Sequence, residues 1–69
     1  MRMYKVNVSS LEVRTDVKLS SRVYLTRDTI VEATSDPTKQ FNHQRWIKIV
    51  TVNKPTVCGY VQLKYLSIL

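Results

Sequence analysis

Apolar positions in this chain alternate with polar ones and seldom recur at three- and four-residue spacing, so the pattern predicts strands rather than helices. Tyr4, Val6 and Val8 alternate with Lys5 and Asn7, as in a half-buried strand. Ser9-Ser10 interrupts the pattern and Leu11-Glu12-Val13-Arg14 resumes it. Residues 15–21 are polar and loop-like, leaving Val17 and Leu19 as isolated apolar positions. Short strands over 22–25 and 29–33 flank a turn at Thr26-Arg27-Asp28. Ser35-Asp36-Pro37-Thr38 signals another turn, because proline presets one turn dihedral and aspartate bonds nearby backbone. From there to Gln44 the chain is expected to be irregular, a length that in compact domains marks a functional or mobile loop.

The strongest strand signal covers residues 45–52. Ile47, Ile49 and Thr51 share one face, and Trp46, Lys48, Val50 and Val52 share the other. The isoleucine pair is the expected inward face, since Lys48 shares a side with Trp46. Asn53-Lys54-Pro55 reads as a hairpin turn into a strand over 57–61. A short 3₁₀ turn near residues 62–65 then leads to a last strand through Leu66 and Ile68. Five or six short antiparallel strands in so small a chain predict an all-β domain curled into a partly open barrel, which covers its core and hides its edges. Val57, Val61, Ile47, Ile49, Leu11, Val13, Val23, Ile30 and Leu66 are assigned to that core, and Cys58 reads as a small buried hydrophobe. Gly59 is the only glycine, and a lone glycine in a strand pattern marks a bulge or a close approach by another group. Left-handed backbone is therefore expected at Asn53 or Asn42 instead.

Sixty-nine residues bound the chain to one domain over 1–69, near the lower size limit for folding without a staple. One cysteine excludes an internal disulfide and a cysteine-rich zinc site, and no cofactor is implied. No apolar run reaches the roughly 18 residues of a spanning helix, and no apolar signal segment follows Met1. The expectation is no membrane insertion and, by default, a cytoplasmic location. Eleven Lys and Arg against five acids give a net charge of +6. The charge is uneven: Lys39, Arg45, Lys48, Lys54 and Lys64 follow Asp36 with no acid among them. A solvated surface accounts for five dispersed charges, and a basic face for a polyanion is the sharper alternative.

Three ordered blocks resemble bacterial SH3-like (SH3b) domains. Val6-x-Val8-x-x-Leu11-x-Val13-Arg14 is similar to that family's first strand and its Leu-Asn-Val-Arg signature, with Glu12 in place of Asn. Trp46-Ile47-Lys48-Ile49 resembles its Trp-x-Lys-Val, and Gly59-Tyr60-Val61 with Tyr65-Leu66 resembles its Gly-Trp-Val and terminal Tyr-Leu. The resemblance implies an SH3-like barrel that recognises cell-wall peptide or a protein partner. Thr15-Asp16-Val17 replaces the family's Gly-Pro, and Asp28 stands where a glycine usually opens the middle strand. Against eukaryotic SH3 domains, Gln62 replaces the groove proline and the Ala-Leu-Tyr-Asp-Tyr opening is missing, which argues against proline-rich ligands.

Trp46 and Tyr65 are the principal candidate binding residues, because flat aromatics near a strand end make a stacking platform at low entropic cost. The competing role for Trp46 is to cap the core. On the groove reading, Trp46→Ala abolishes binding and spares the fold. Tyr4 either extends the platform or lies in the core, Asp16 either holds an amine-bearing ligand or forms an Asx-type turn, and Lys48 flanks Trp46. Cys58 and His43 lack a third group to orient the histidine, so no enzyme activity is expected. The function expected is a non-catalytic module binding a peptide, a peptidoglycan fragment or a protein. Two alternatives stand beside it: a small basic barrel binding single-stranded nucleic acid, with Arg45, Lys48 and Lys64 on phosphates, and a structural domain whose aromatic face is an assembly surface.

Overall fold

The computed structural model describes residues 2–69. Eight strands are present: β1 (Met3–Val6), β2 (Ser10–Val13), β3 (Val23–Thr26), β4 (Ile30–Ala33), β5 (Lys39–Phe41), β6 (Gln44–Thr51), β7 (Cys58–Gln62) and β8 (Leu66–Ile68). A 3₁₀ turn, Leu63–Tyr65, joins the last two. The domain is all-β and antiparallel, as the alternation predicts, with more and shorter strands than expected. β1 lies between β4 and β8, β4 pairs with β6, and β6 pairs in turn with β5 and β7. β2 and β3 form a separate hairpin.

Alternation sorts the side chains. Tyr4 and Val6 of β1, Leu11 and Val13 of β2, and Ile47 and Ile49 of β6 all turn into one core with Leu25, Val31, Val61 and Leu66. Val23 departs from the expected core: it shares a face with Leu25 but lies further out along the hairpin and is 46% exposed. Ile30 and Val57 are half-buried at the core's margin, and Cys58 is exposed rather than buried, because its parity on β7 points it outward. Thr51 is buried among the apolar residues, and its hydroxyl both accepts from the Val57 N–H (2.8 Å) and donates to the Pro55 carbonyl (3.3 Å). That pair of bonds closes the 52–57 loop.

The largest difference from expectation is the segment read as irregular, where β5 and β6 form a tight hairpin. Asn42 and His43 are its two central residues, with φ of 56° and 62°. Two consecutive positive φ values are the requirement of a type I′ turn, which matches the twist of the flanking strands. Asn42 bears out the expected left-handed backbone; Asn53 does not adopt it, whereas Asp28 does at φ 72°. Asp28 thus takes the conformation that its glycine counterpart would supply, and its N–H donates to the Val6 carbonyl (2.8 Å). His43 carries a Cβ in a region that disfavours one by roughly 1–2 kcal/mol. His43→Gly is expected to stabilise the domain by about 1 kcal/mol, a rise in Tm of roughly 4–8 °C. An unchanged or lower Tm would show that His43 has compensating contacts.

Gly59 marks a close approach and not a bulge. Arg14, one residue past β2, bridges to Tyr60 of β7: the Arg14 N–H donates to the Tyr60 carbonyl (2.9 Å) and the Tyr60 N–H to the Arg14 carbonyl (2.6 Å). A Cβ on Gly59 would lie 2.7 Å from the Arg14 carbonyl oxygen and 2.7 Å from Val13 Cγ1. The hairpin can dock on the main sheet only over a residue with no side chain.

Candidate functional site

Strand parity builds the site. The Arg14–Tyr60 bridge is isolated, so β2 and β7 meet there and then part. Two residues on, the antiparallel sense sets Glu12 against Gln62 across the opening. A groove of about 330 Å³ fills this seam, lined by Val8, Ser10, Leu11, Glu12 and Tyr24 on the hairpin side and by Trp46, Gln62 and Tyr65 opposite. Trp46 and Gln62 are register partners on β6 and β7.

Trp46 is 3% exposed. Its parity does place it on the Lys48 face, as the alternation predicts, but a second apolar cluster of Val17 and Tyr60, with Phe41 at its edge, covers that face. The Arg14 guanidinium lies over the indole at 4.8 Å from the ring centroid. With Arg14 over its ring and almost no exposed area, Trp46 offers the groove no stacking face. Its Nε1–H is buried without a hydrogen-bond partner, and so is Oε1 of the neighbouring Gln62. Buried polar groups are nearly always satisfied, and an unmet one costs about 1–3 kcal/mol. Both residues line the groove, but the two atoms themselves are closed to solvent beneath its lining, so a ligand meets them only when a lining side chain moves aside.

Arg14 shapes the wall. Its Nε donates to Glu12 Oε1 (3.0 Å) and its Nη1 to the Val17 carbonyl (2.7 Å). The Ser21 N–H donates to Glu12 Oε2 (2.9 Å), while the Ser21 hydroxyl donates to the Val13 carbonyl. The 14–21 loop is thus folded back on β2 around one ion pair. The Ser21 N–H holds the Glu12 carboxyl below its ordinary range; partial burial opposes this, and the Arg14 hydrogen bond and charge add to it. A depressed carboxyl pKa stabilises the folded state above the unfolded value of about 4.3 and loses that contribution as pH falls through the folded value. The urea midpoint is expected to drop as pH falls below about 4.3, and Glu12→Gln should lower the midpoint at neutral pH and flatten the acid limb. An acid limb identical in the variant would remove Glu12 from this role.

The remaining sequence candidates lie elsewhere. Tyr65 lines the groove, with Lys64 Nζ 5.0 Å from its ring centroid. Tyr4 is 3% exposed in the core and does not extend the platform, because β1 parity turns it inward; it borders a different cleft of about 550 Å³ with Ile47 and Ala33. Among the described residues no unpartnered buried polar side chain lines that larger cleft. Asp16 is not in the groove: its carbonyl accepts from the Leu19 N–H (2.9 Å) in a turn and its carboxylate is 4.0 Å from Lys39 Nζ. Lys48 crosses the outer face to Asp36 (3.3 Å), whose hydrogen bond and charge raise its pKa, and it stands 6.0 Å from the Tyr60 ring centroid. Tyr24, Glu12 and Gln62 were not singled out for the groove by sequence; Tyr24, an aromatic on the face of its strand opposite Val23 and Leu25, was the available signal.

Among the described residues no cluster of His, Cys, Asp and Glu has the makings of a metal site, and no helix is long and apolar enough to cross a membrane. Comparison of the chain with protein-family models, curated proteins and solved structures gives no match.

Proposed function

We propose that the chain is a non-catalytic, SH3-like binding module that takes a peptide or protein segment in the groove between the β2–β3 hairpin and the 3₁₀ turn. The observation that carries this reading is the groove that Tyr24 and Tyr65 line together with Trp46 and Gln62, each of the latter holding a buried polar atom with no partner. Once a lining side chain such as Gln62 swings aside, a peptide segment offers a carbonyl for the Trp46 Nε1–H and an N–H for the Gln62 Oε1. The SH3-like reading is supported by the pairing of the first strand with the last, by the β4–β6–β7 succession, and by the 3₁₀ turn before β8. Single-stranded nucleic acid is the weaker reading, because Trp46 is buried beneath Arg14 and, of the expected stacking pair, Tyr65 alone remains.

An amide chemical-shift titration with a proline-rich peptide, a peptidoglycan fragment and single-stranded DNA in turn tests the proposal. Peptide or peptidoglycan fragment is expected to move Gln62, Tyr65 and Tyr24, with little dependence on salt. Shifts produced by DNA alone, lost steeply with added salt, would replace the peptide reading by the nucleic-acid one.

A further inference from the structure

We infer that the free edge of β3 is a second binding site, which takes an extended acidic segment by strand addition. β3 pairs with β2 alone. Arg14 exchanges its backbone bonds with Tyr60, away from β3, so alternation aims the backbone groups of Val13 and Leu11 at Val23 and Leu25. Ser21 agrees with this parity: its Oγ sits between the Val23 N–H, from which it accepts at 3.0 Å, and the Val13 carbonyl. Tyr24 and Thr26 therefore turn outward. The Thr26 carbonyl accepts from the Thr29 hydroxyl (2.8 Å), which leaves the Tyr24 N–H, the Tyr24 carbonyl and the Thr26 N–H for a partner. These groups can bond one residue of an added strand at both its N–H and its carbonyl, and a second residue at its carbonyl.

The side chains and charges define the partner. Val23 and Tyr24 are 46% and 57% exposed, an apolar surface beside open backbone. A cleft of about 310 Å³ runs from Tyr24, Leu25 and Thr26 to Lys54 and Pro55 of the 52–57 loop. Arg22 and Arg27 bracket β3 and Lys54 faces it, and among the described residues none of the three is ion-paired. Of the acids beside the strand, Asp28 is 3.8 Å from Lys5, and Glu12, opposite Tyr24, is held by Arg14 and the Ser21 N–H. A second copy is the wrong partner: antiparallel self-pairing about Tyr24 would set Arg22 against Thr26 and Arg27 against Ser21, crowding four arginines along one seam. An extended acidic segment answers both the open hydrogen bonds and the charge.

The test is a titration of the full chain with a blocked hexapeptide alternating glutamate and valine, and with its lysine–valine counterpart, read by amide shifts and hydrogen exchange. The acidic peptide is expected to move residues 22–27 and 53–55 and to slow exchange at the Tyr24 and Thr26 amides. The lysine peptide is expected to do neither. Arg22→Glu with Lys54→Glu should weaken the acidic peptide by roughly two- to fivefold per reversed charge and leave the melting temperature within a few degrees, since both side chains are exposed and unpaired. Equal binding of the two peptides, shifts confined to Trp46 and Tyr65, no slowing at Tyr24, or no binding at millimolar peptide would each overturn the inference. The seam groove would stand in any of those cases, because none of its residues is altered.

Discussion

Replacing Gly59 by valine is expected to leave the domain unfolded in native buffer. The β-carbon alone would sit 2.7 Å from both the Arg14 carbonyl oxygen and Val13 Cγ1, and neither is the free end of a flexible side chain. Relieving the clash means lifting the hairpin from β7 and breaking the two Arg14–Tyr60 bonds, of 2.9 and 2.6 Å. Overpacking of this kind costs about 1–3 kcal/mol or more, and each lost hydrogen bond about 1 kcal/mol further. A 69-residue domain has only roughly 3–10 kcal/mol to lose. Even Gly59→Ala should cut the urea midpoint sharply, while Cys58→Ser at the exposed neighbouring position should change stability by no more than about 0.5 kcal/mol. A Gly59→Val variant that melts like the parent would mean the hairpin is not held on β7 at all.

Trp46→Ala has the second-largest expected effect, and burial reverses what the sequence suggests for it. A tryptophan that is 3% exposed and packed on Val17 and Tyr60 is a structural residue, and its truncation costs about 3–5 kcal/mol. The alanine variant is expected to be largely unfolded, so its loss of binding would say nothing about the groove. Trp46→Phe separates the two roles, because it keeps one aromatic ring in the core while removing the Nε1–H along with the indole's five-membered ring. It should give a cooperative melt at a lowered Tm and bind ligand about tenfold more weakly, the worth of one hydrogen bond. Unchanged affinity in a folded Trp46→Phe would remove the indole from recognition.

Much of this architecture was legible because alternation is a local signal. The inward set of Ile47, Ile49, Leu11 and Val13 follows from period two alone, and the lone Gly59 announced that something must pass close by. What it could not announce was which group passes, since the Arg14 carbonyl comes from 45 positions earlier in the chain. β5 escaped notice because Lys39, Gln40 and Phe41 show no apolar alternation, and Asn42-His43 is an uncommon way to write a type I′ turn that usually ends in glycine. Trp46 was placed on the correct face, yet its burial depends on Val17, an isolated apolar residue in a polar loop. The same holds for the groove: Tyr24, Glu12, Gln62 and Trp46 are brought together by two strands parting after one bridge, a feature of tertiary docking and of no single segment.

Trp46 is the only tryptophan in the chain, so its indole N–H gives a single resonance in a nitrogen–proton correlation spectrum. Following that resonance in the full chain as a blocked extended peptide is added tests the recognition groove most directly. The account predicts a downfield shift of the indole proton, together with shifts at Gln62 and Tyr65. An indole resonance that stays in place while backbone amides elsewhere report a bound peptide would contradict it.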